Sequence, residues 1–245
     1  MIFDPFGDFA TEGYLRNFEK EKDLAIVKRA ENVSFTTGLD EAFAMLARSK
    51  VLSYDEVLGT HNILFSAVYP WAGQDRTQTA PKLTIRKGPV IFANAPEIRA
   101  AVEFALQKGQ DAGYMSAKPG EIMGYLAYGH PFLDGNGRTI MTVHSVLAQR
   151  AGFSIDWSAT RKDAYLDALT KEIENPPKGH LDAYLRPFMR DPIAYEQLAA
   201  AIVRAPGIDG VAQDASLNEV LGNFDEPRVR SRYEAMLTKR KATKD

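Results

Sequence analysis

The chain has 245 residues, of which 45% are apolar and 25% charged, with a mean hydropathy of −0.28. These values are globular and exclude collagen-like, intrinsically disordered and disulfide-scaffold classes. The lack of cysteine excludes a thiolate nucleophile and cysteine-ligated metal centres, and the net charge of −2 gives no reason to expect a nucleic acid partner.

The compartment follows from the distribution of apolar and charged residues. No run of about 18 apolar residues is present, so we expect no membrane-spanning segment and no membrane partner. The first residues carry acidic side chains and lack the pattern of a signal peptide, which gives the cytoplasm as the expected location. Residues 226–245 carry seven basic and three acidic side chains, typical of a solvated helix face or frayed end, with a docking site for an acidic partner as the alternative.

Most of the chain has the apolar spacing of amphipathic helices. Ser53 with Glu56 three residues later predicts a capping box, and the helix that it begins should end before Tyr69-Pro70. Helical stretches are predicted at 17–32, 39–46, 96–107, 120–129, 136–151, 160–173, 180–189, 191–203 and 226–240.

Residues 81–93 differ from the rest because apolar and polar residues alternate. Leu83 and Ile85 precede the turn residues 87–89, and Val90 and Phe92 follow them, which predicts two short strands. An isolated hairpin is marginal in water, so it should pack on helices or close over a site. Residues 206–210 are the expected boundary between a main domain and a C-terminal tail.

The strongest chemical signal is the segment HPFLDGNGR at residues 130–138. Its glycines let a backbone approach a ligand closely, and its amides precede an apolar helix whose N-terminus favours anions. Arg138 offers a planar donor fork for phosphate, Asp134 an oxygen ligand for Mg²⁺, and His130 a base near neutral pH. Together these groups predict a phosphoryl or nucleotidyl transfer site.

This segment resembles the signature HxFx[D/E]GNGRxxR of Fic (Fic/Doc) proteins. Residues 58–65 (LGTHNILF) and 69–76 (YPWAGQDR) also resemble the first core helix of that family and the loop after it. The resemblance covers about residues 50–190. It implies a mainly α fold, a Fic-type helical bundle with one short β-hairpin flap beside the active site. On this basis 1–49 is expected to be an N-terminal helical extension packed on the core, 50–190 the Fic catalytic core, and 191–245 a C-terminal helical extension with a basic tail.

The resemblance implies transfer of AMP from ATP, as co-substrate, to a Ser, Thr or Tyr hydroxyl of a target protein. His130 would be the general base, Asp134 would hold Mg²⁺, and Arg138 would bind the phosphates and stabilise the leaving pyrophosphate. Other residues are implied in nucleotide binding or in binding of the target by the flap. The first group is Phe132, Gly135, Asn136, Gly137 and Tyr165, and the second is Leu83, Thr84, Ile85 and Arg86.

One position departs from the family pattern. Met141 stands where the second arginine of the signature is found, so a Doc-like phosphotransferase or another nucleotide donor stays open as an alternative. Gly137, which is a lysine in Doc, favours the nucleotidyl transfer. A non-catalytic Fic-fold binding module is the second alternative. His61 and His144 are predicted to be structural, which leaves His130 to carry the chemistry.

The family also has an inhibitory helix motif, [S/T]xxxE[G/N]. The segment weighed for it does not complete it, since Thr37 and Glu41 are followed by Ala42. The expectation is therefore that any inhibition comes from a separate small antitoxin-like protein. A bacterial toxin or effector role is implied by the resemblance alone.

Overall fold

A computed structural model describes residues 2–209 and 218–241, and in these ranges the protein is mainly helical. The helices are α1 (Phe9–Glu12), α2 (Leu24–Arg48), α3 (Tyr54–Phe65), α4 (Arg76–Thr79), α5 (Ile98–Gly109), α6 (Ala112–Ala117), α7 (Pro119–Gly129), α8 (Asn136–Arg150), α9 (Lys162–Glu174), α10 (His180–Leu185), α11 (Tyr195–Val203) and α12 (Pro227–Lys241). The strands are β1 (Leu83–Lys87), β2 (Val90–Ile91), β3 (Ser154–Ile155), β4 (Met189–Arg190) and β5 (Glu219–Asn223). The predicted mainly α fold is confirmed.

Local sequence signals set several helix ends. Ser53 and Glu56 form the predicted capping box at the start of α3. The side chain of Asp23 accepts hydrogen bonds from two backbone amides at the start of α2. The segments predicted as helices at 17–32 and 39–46 are parts of this single helix, which begins only at Leu24. The predicted helix 180–189 is shorter, since α10 ends at Leu185 and β4 follows at Met189.

The helices pack around α8, which is buried along most of its length. α7 packs against α5, α8, α9 and α10, while α2 and α3 cover another side of α8. One continuous apolar cluster includes residues from Phe3 to Ala205, so the N-terminal residues share one core with residues 50–190. None of the helices in the described ranges is long and apolar enough to span a membrane.

The hairpin predicted at 81–93 is present and belongs to a larger sheet. β1 pairs antiparallel with β2, as expected, and also with β5 on its other edge, giving the order β2-β1-β5. β5 lies in the segment expected to be a helical extension, so that expectation is wrong for residues 219–223. A five-residue strand that pairs only at a sheet edge leaves little local signal, because its partner lies far away in the sequence.

Candidate active site

The glycine-rich loop joins α7 to α8, and its backbone is shaped by two residues with positive φ. His130 ends α7 at φ 43° and ψ 58°, in the left-handed region that few residues other than glycine adopt. Gly135 precedes α8 at φ 76°, and a Cβ there would lie 2.5 Å from the Phe65 ring. A Cβ on Gly137 would meet no atom within 4 Å. The loop is therefore closely packed against Phe65 at Gly135, whereas space is open beside Gly137.

Phe132 and Asn136 fasten this loop to the core. The Phe132 ring is fully buried and stacks on His61 with centroids 3.7 Å apart. The Asn136 side chain accepts a hydrogen bond from the Phe132 amide at 2.9 Å and donates one to the Phe132 carbonyl at 2.7 Å. These contacts restrain the residues on either side of Phe132, including His130.

His61 and His144 are buried side chains that contact backbone groups of the core. His61 Nδ1 accepts a hydrogen bond from the Gly73 amide at 2.9 Å, and Nε2 lies 3.1 Å from the Asp134 carbonyl oxygen. His144 Nε2 lies 2.8 Å from the Pro119 carbonyl oxygen. Burial lowers the pKa of His61 to about 3 and that of His144 to about 4, so both are neutral at pH 7.

His130 presents an unprotonated ring nitrogen. Its Nε2 lies 3.2 Å from the side-chain amide nitrogens of both Asn136 and Asn218. Since both neighbours are N–H donors, Nε2 is the acceptor and Nδ1 carries the proton. Burial, together with the positive charges of Arg76 and Lys87, holds the pKa of His130 well below its ordinary value of 6.5. The ring also stacks on Phe92 at 3.6 Å, which fixes its plane.

Asp134 is an ionised carboxylate at the open side of the loop. Its Oδ2 accepts from Lys28 Nζ at 2.5 Å and from the Tyr14 hydroxyl at 3.0 Å, while Oδ1 accepts from the Gly135 amide at 2.7 Å. Burial alone would raise the pKa of Asp134, but the charges of Lys28 and Arg138 bring it far below its ordinary value. The carboxylate therefore keeps its charge throughout the physiological range.

Arg138 lies in the first turn of α8 and is 8% exposed. Its Nη2 donates to the Glu31 carboxylate, and the guanidinium lies 4.7 Å from the centre of the Phe65 ring. Nη1 has no hydrogen-bond partner among the described residues, although it is buried. An unpaired guanidinium N–H is costly, so this atom is a ready donor for an anion.

Glu31 is a site residue that the sequence analysis missed. It lies on α2, is fully buried, and contacts Arg138, Lys28 and the Tyr69 hydroxyl. Glu31-Asn32 satisfies the last two positions of the inhibitory motif, but Val27 stands where that motif has Ser or Thr. A search that accepted a partial match would have found it. Glu41, the candidate weighed from the sequence, is exposed.

The flap lies against the loop and carries a strand that was not predicted. The four flap residues singled out from the sequence all lie in β1, and they pair with β5 in the order Leu83–Asn223, Thr84–Gly222, Ile85–Val220 and Arg86–Glu219. Asn218, the residue before β5, donates from Nδ2 to the Leu133 carbonyl at 3.0 Å as well as to His130. The C-terminal segment therefore reaches the proposed base.

Tyr165 lies on α9 in a group of aromatic side chains. Its ring meets Trp157 edge-on at 5.8 Å, and Tyr184 lies 6.4 Å away. Burial raises the pKa of its hydroxyl. These contacts are those of a packed side chain, and no hydrogen bond or ring contact within the described ranges joins Tyr165 to the loop.

The sequence and the structure can be compared with known proteins at this point. Residues 51–148 match the model of the Fic/DOC family, a range that contains the complete glycine-rich loop and the flap. Over these residues the chain is similar to the Fic/DOC family. Over 167 residues the chain is 31% identical to the protein adenylyltransferase VbhT of Bartonella schoenbuchensis. That match covers 65% of this chain and 34% of VbhT, so the chain spans about a third of that relative's length.

Other matches are similar in sequence or in fold. A protein named as a probable adenylyltransferase, y4lH of Sinorhizobium fredii, is 24% identical over 163 residues, or 60% of this chain and 82% of that protein. The N-terminal Fic domain of a Bep effector from Bartonella quintana, with bound ADP, has a TM-score of 0.60 at 22% identity and covers 74% of this chain and 92% of that one. BepC from Bartonella tribocorum, with bound AMPPNP, has a TM-score of 0.56 at 18% identity, covering 72% and 92%. These likenesses establish the Fic fold.

Proposed function

We propose that this Fic domain transfers AMP from ATP to a Ser, Thr or Tyr hydroxyl of another protein. The observation that carries the proposal is the neutral His130, whose Nε2 accepts hydrogen bonds beside an ionised Asp134 and an Arg138 with a free N–H. VbhT is named as a protein adenylyltransferase and y4lH as a probable one, and the similarity of this chain to both supports the same activity here.

The reaction needs a base and a place for the leaving group. In the proposed step His130 Nε2 takes the proton of the acceptor hydroxyl as its oxygen bonds to the α-phosphorus of ATP. The bond from that phosphorus to the oxygen of the β-phosphate breaks, and pyrophosphate leaves. The lowered pKa of His130 keeps Nε2 unprotonated at neutral pH.

The phosphates are held by the loop and by α8. The backbone amides of Gly135, Asn136 and Gly137 lie at the N-terminus of α8, where the helix dipole favours negative charge. The free Nη1 of Arg138 adds a charged donor. Phe132 keeps the loop in place, and Tyr165 is retained as a proposed contact for the nucleoside.

Asp134 is the residue that would hold Mg²⁺. Mg²⁺ is bound in such sites by one or two carboxylates together with substrate phosphates and water, so a single ionised carboxylate beside a phosphate site suits it. When bound, the ion neutralises phosphate charge. Lys28 now lies 2.5 Å from the same carboxylate oxygen, so metal binding requires Lys28 to move away.

Transfer of a phosphate is the second candidate because Met141 replaces the second arginine of the family signature. Met141 is buried and apolar, so this position gives no donor to the end of a triphosphate. The open space at Gly137 favours transfer of the bulkier nucleotidyl group.

A non-catalytic binding module is disfavoured because all the charged groups of the loop are present. A separate small inhibitor and an effector or toxin role stay expectations from the resemblance, and a cytoplasmic location stays an expectation from the sequence.

The test is intact mass spectrometry of the protein, with candidate targets, after incubation with Mg²⁺ and ATP labelled on either the α- or the γ-phosphate. We expect an added AMP and label from the α-phosphate alone. His130→Ala should abolish the label, whereas His180→Ala, at the start of α10, should retain it. Label from the γ-phosphate alone would establish phosphate transfer instead. Transfer that survives in His130→Ala would contradict the assigned base.

A further inference from the structure

Tyr14 reaches the carboxylate assigned to the metal from a distant part of the chain. Its hydroxyl donates to Asp134 Oδ2 at 3.0 Å, across 120 positions of sequence, and the residue is 1% exposed. A carboxylate only accepts hydrogen bonds, so the phenol is the donor. Among the described residues, Tyr14 and Lys28 are the side chains that donate to this oxygen. Tyr14 takes no part in the proton or phosphorus chemistry, so a role for it must lie in how it holds this carboxylate.

The backbone around Tyr14 is held by a network of hydrogen bonds within one loop. The Tyr14 amide donates to the Glu21 carbonyl at 2.9 Å. The Asn17 side chain donates to the carbonyls of Tyr14 and Glu21 at 3.0 and 2.8 Å, and it accepts from the Glu21 amide at 2.9 Å. A Cβ on Gly13 would lie 2.4 Å from a backbone carbon on the opposite side of the loop. Residues 13–21 therefore form a closed loop with little freedom at Tyr14.

The two residues that follow Tyr14 have strained backbones. Leu15 and Arg16 have φ values of 53° and 55°, in the left-handed region, although neither is glycine. Such conformations are unfavourable and persist where the surrounding structure holds them. Here the Leu15 carbonyl accepts a hydrogen bond from the buried Trp71 Nε1 at 2.7 Å, and the Leu15 side chain lies in the core. The strained turn is therefore fixed to the protein interior, and with it the direction of the Tyr14 side chain.

Tyr14 and Lys28 make two different kinds of contact with the same oxygen. Lys28 carries a positive charge on a flexible stem, and its Nζ also lies 2.9 Å from Glu31 Oε1. A metal ion repels this charge, which is why Lys28 must move away before the ion binds. The Tyr14 hydroxyl is neutral and occupies one of the two lone pairs of Oδ2, so the other is left for a ligand bond. The Tyr14 contact is therefore compatible with a bound metal, whereas the Lys28 contact is not.

From these contacts we propose that Tyr14 is a positioning residue for the metal ligand Asp134. Its hydroxyl on Oδ2 fixes the plane of the carboxylate, together with the Gly135 amide on Oδ1 at 2.7 Å. It stays in place when Lys28 leaves, so the carboxylate meets Mg²⁺ in one orientation. Partners that orient a metal-binding side chain raise metal affinity by about tenfold to a hundredfold. The proposal rests on the proposed function for the role of Asp134, but metal-dependent binding is measured without transfer.

The test measures how far Mg²⁺ tightens nucleotide binding. Calorimetric titration with α,β-methylene-ATP, whose α–β linkage is not cleaved, gives the dissociation constant in excess Mg²⁺ and again in EDTA. The ratio of the EDTA constant to the Mg²⁺ constant is the Mg²⁺ ratio. Tyr14→Phe should reduce this ratio by about tenfold and leave the EDTA constant within about twofold of wild type. Asp134→Asn sets the ratio that remains when the metal ligand is lost.

Tyr54→Phe is the matched control for the loss of a buried hydroxyl. Tyr54 is fully buried, and its hydroxyl donates at 2.7 Å to the carboxylate of Asp75, which lies outside the glycine-rich loop. Both variants lose a hydroxyl–carboxylate hydrogen bond and should melt at a lower temperature than wild type. Only Tyr14→Phe should lower the Mg²⁺ ratio. Asn17→Ala, which keeps the Tyr14 hydroxyl but loosens its loop, should give a ratio between those of wild type and Tyr14→Phe.

The outcomes separate this proposal from the proposed function. An unchanged Mg²⁺ ratio in Tyr14→Phe, or an equal loss in Tyr54→Phe, would overturn the positioning role, while AMP transfer by the wild-type protein would leave the proposed function intact. A selective loss in Tyr14→Phe, together with no transfer of AMP to candidate targets, would uphold the positioning role and overturn the proposed function. Equal ratios in wild type and Asp134→Asn would overturn both the metal assignment and the role of Tyr14.

Discussion

At the scale of single residues, the site depends on how each charge is compensated. His130 stays neutral because it is buried near the positive charges of Arg76 and Lys87. Asp134 stays charged because Lys28 and Arg138 lie close to it. The loop therefore holds a neutral histidine and an ionised carboxylate four residues apart. Both groups keep these protonation states across a wide range of pH.

This arrangement predicts an unusual dependence of the transfer rate on pH below neutrality. A histidine with an ordinary pKa of 6.5 loses half of its basic form at pH 6.5. His130 has a lowered pKa, so its neutral form, and with it the transfer rate, should hold steady as the pH falls from 7.5 through 6.5. The rate should decline only well below that point. Initial rates of labelling between pH 5 and 8 measure this, and a half-maximal rate near pH 6.5 would contradict it.

At the scale of elements, the start of α8 is the most constrained part of the site. The loop turns into the helix at Gly135, where a positive φ and the nearby Phe65 ring both exclude a side chain. Gly137, two residues later, has open space around it. The two glycines of this motif therefore differ in role. Gly135 is required by the backbone conformation and the packing of the loop, whereas Gly137 leaves open space beside the loop.

Alanine variants should separate these two reasons. Gly135→Ala should lower the free energy of unfolding by about 2–4 kcal/mol, combining the left-handed backbone penalty with overpacking against Phe65. Gly137→Ala should change it by less than about 1 kcal/mol, because nothing obstructs the new methyl group. Urea unfolding monitored by circular dichroism checks both values. Equal losses in the two variants would argue against the loop geometry described.

At the scale of the whole molecule, both ends of the chain converge on the loop. From the N-terminal side, α2 brings Glu31 to Arg138 and Lys28 to Asp134. From the C-terminal side, Asn218 reaches His130. The groups assigned to phosphate, metal and acceptor are therefore each engaged by a residue from outside the central Fic segment.

Replacing Glu31 should strengthen nucleotide binding. Glu31→Gln removes a negative charge next to Arg138, so ATP should bind about tenfold more tightly, equivalent to about 1.4 kcal/mol. The free protein should melt at a lower temperature, because Lys28 and Arg138 lose their buried counter-charge. Calorimetric titration and thermal melts measure the two effects. Glu41→Gln, an exposed position on the same helix, is the control and should alter neither; an unchanged ATP affinity in Glu31→Gln would refute the competition.

Contiguous stretches of sequence determined the capping box at Ser53, the hairpin around residues 87–89 and the chemistry of residues 130–138, because each depends on neighbours along the chain. Tertiary structure alone decided what faces that loop. Glu31 meets Arg138 across 107 positions, Lys28 meets Asp134 across 106, and Asn218 meets His130 across 88. Such contacts depend on how α2 packs against α8 and where β5 finds a free strand edge, and no local pattern encodes either.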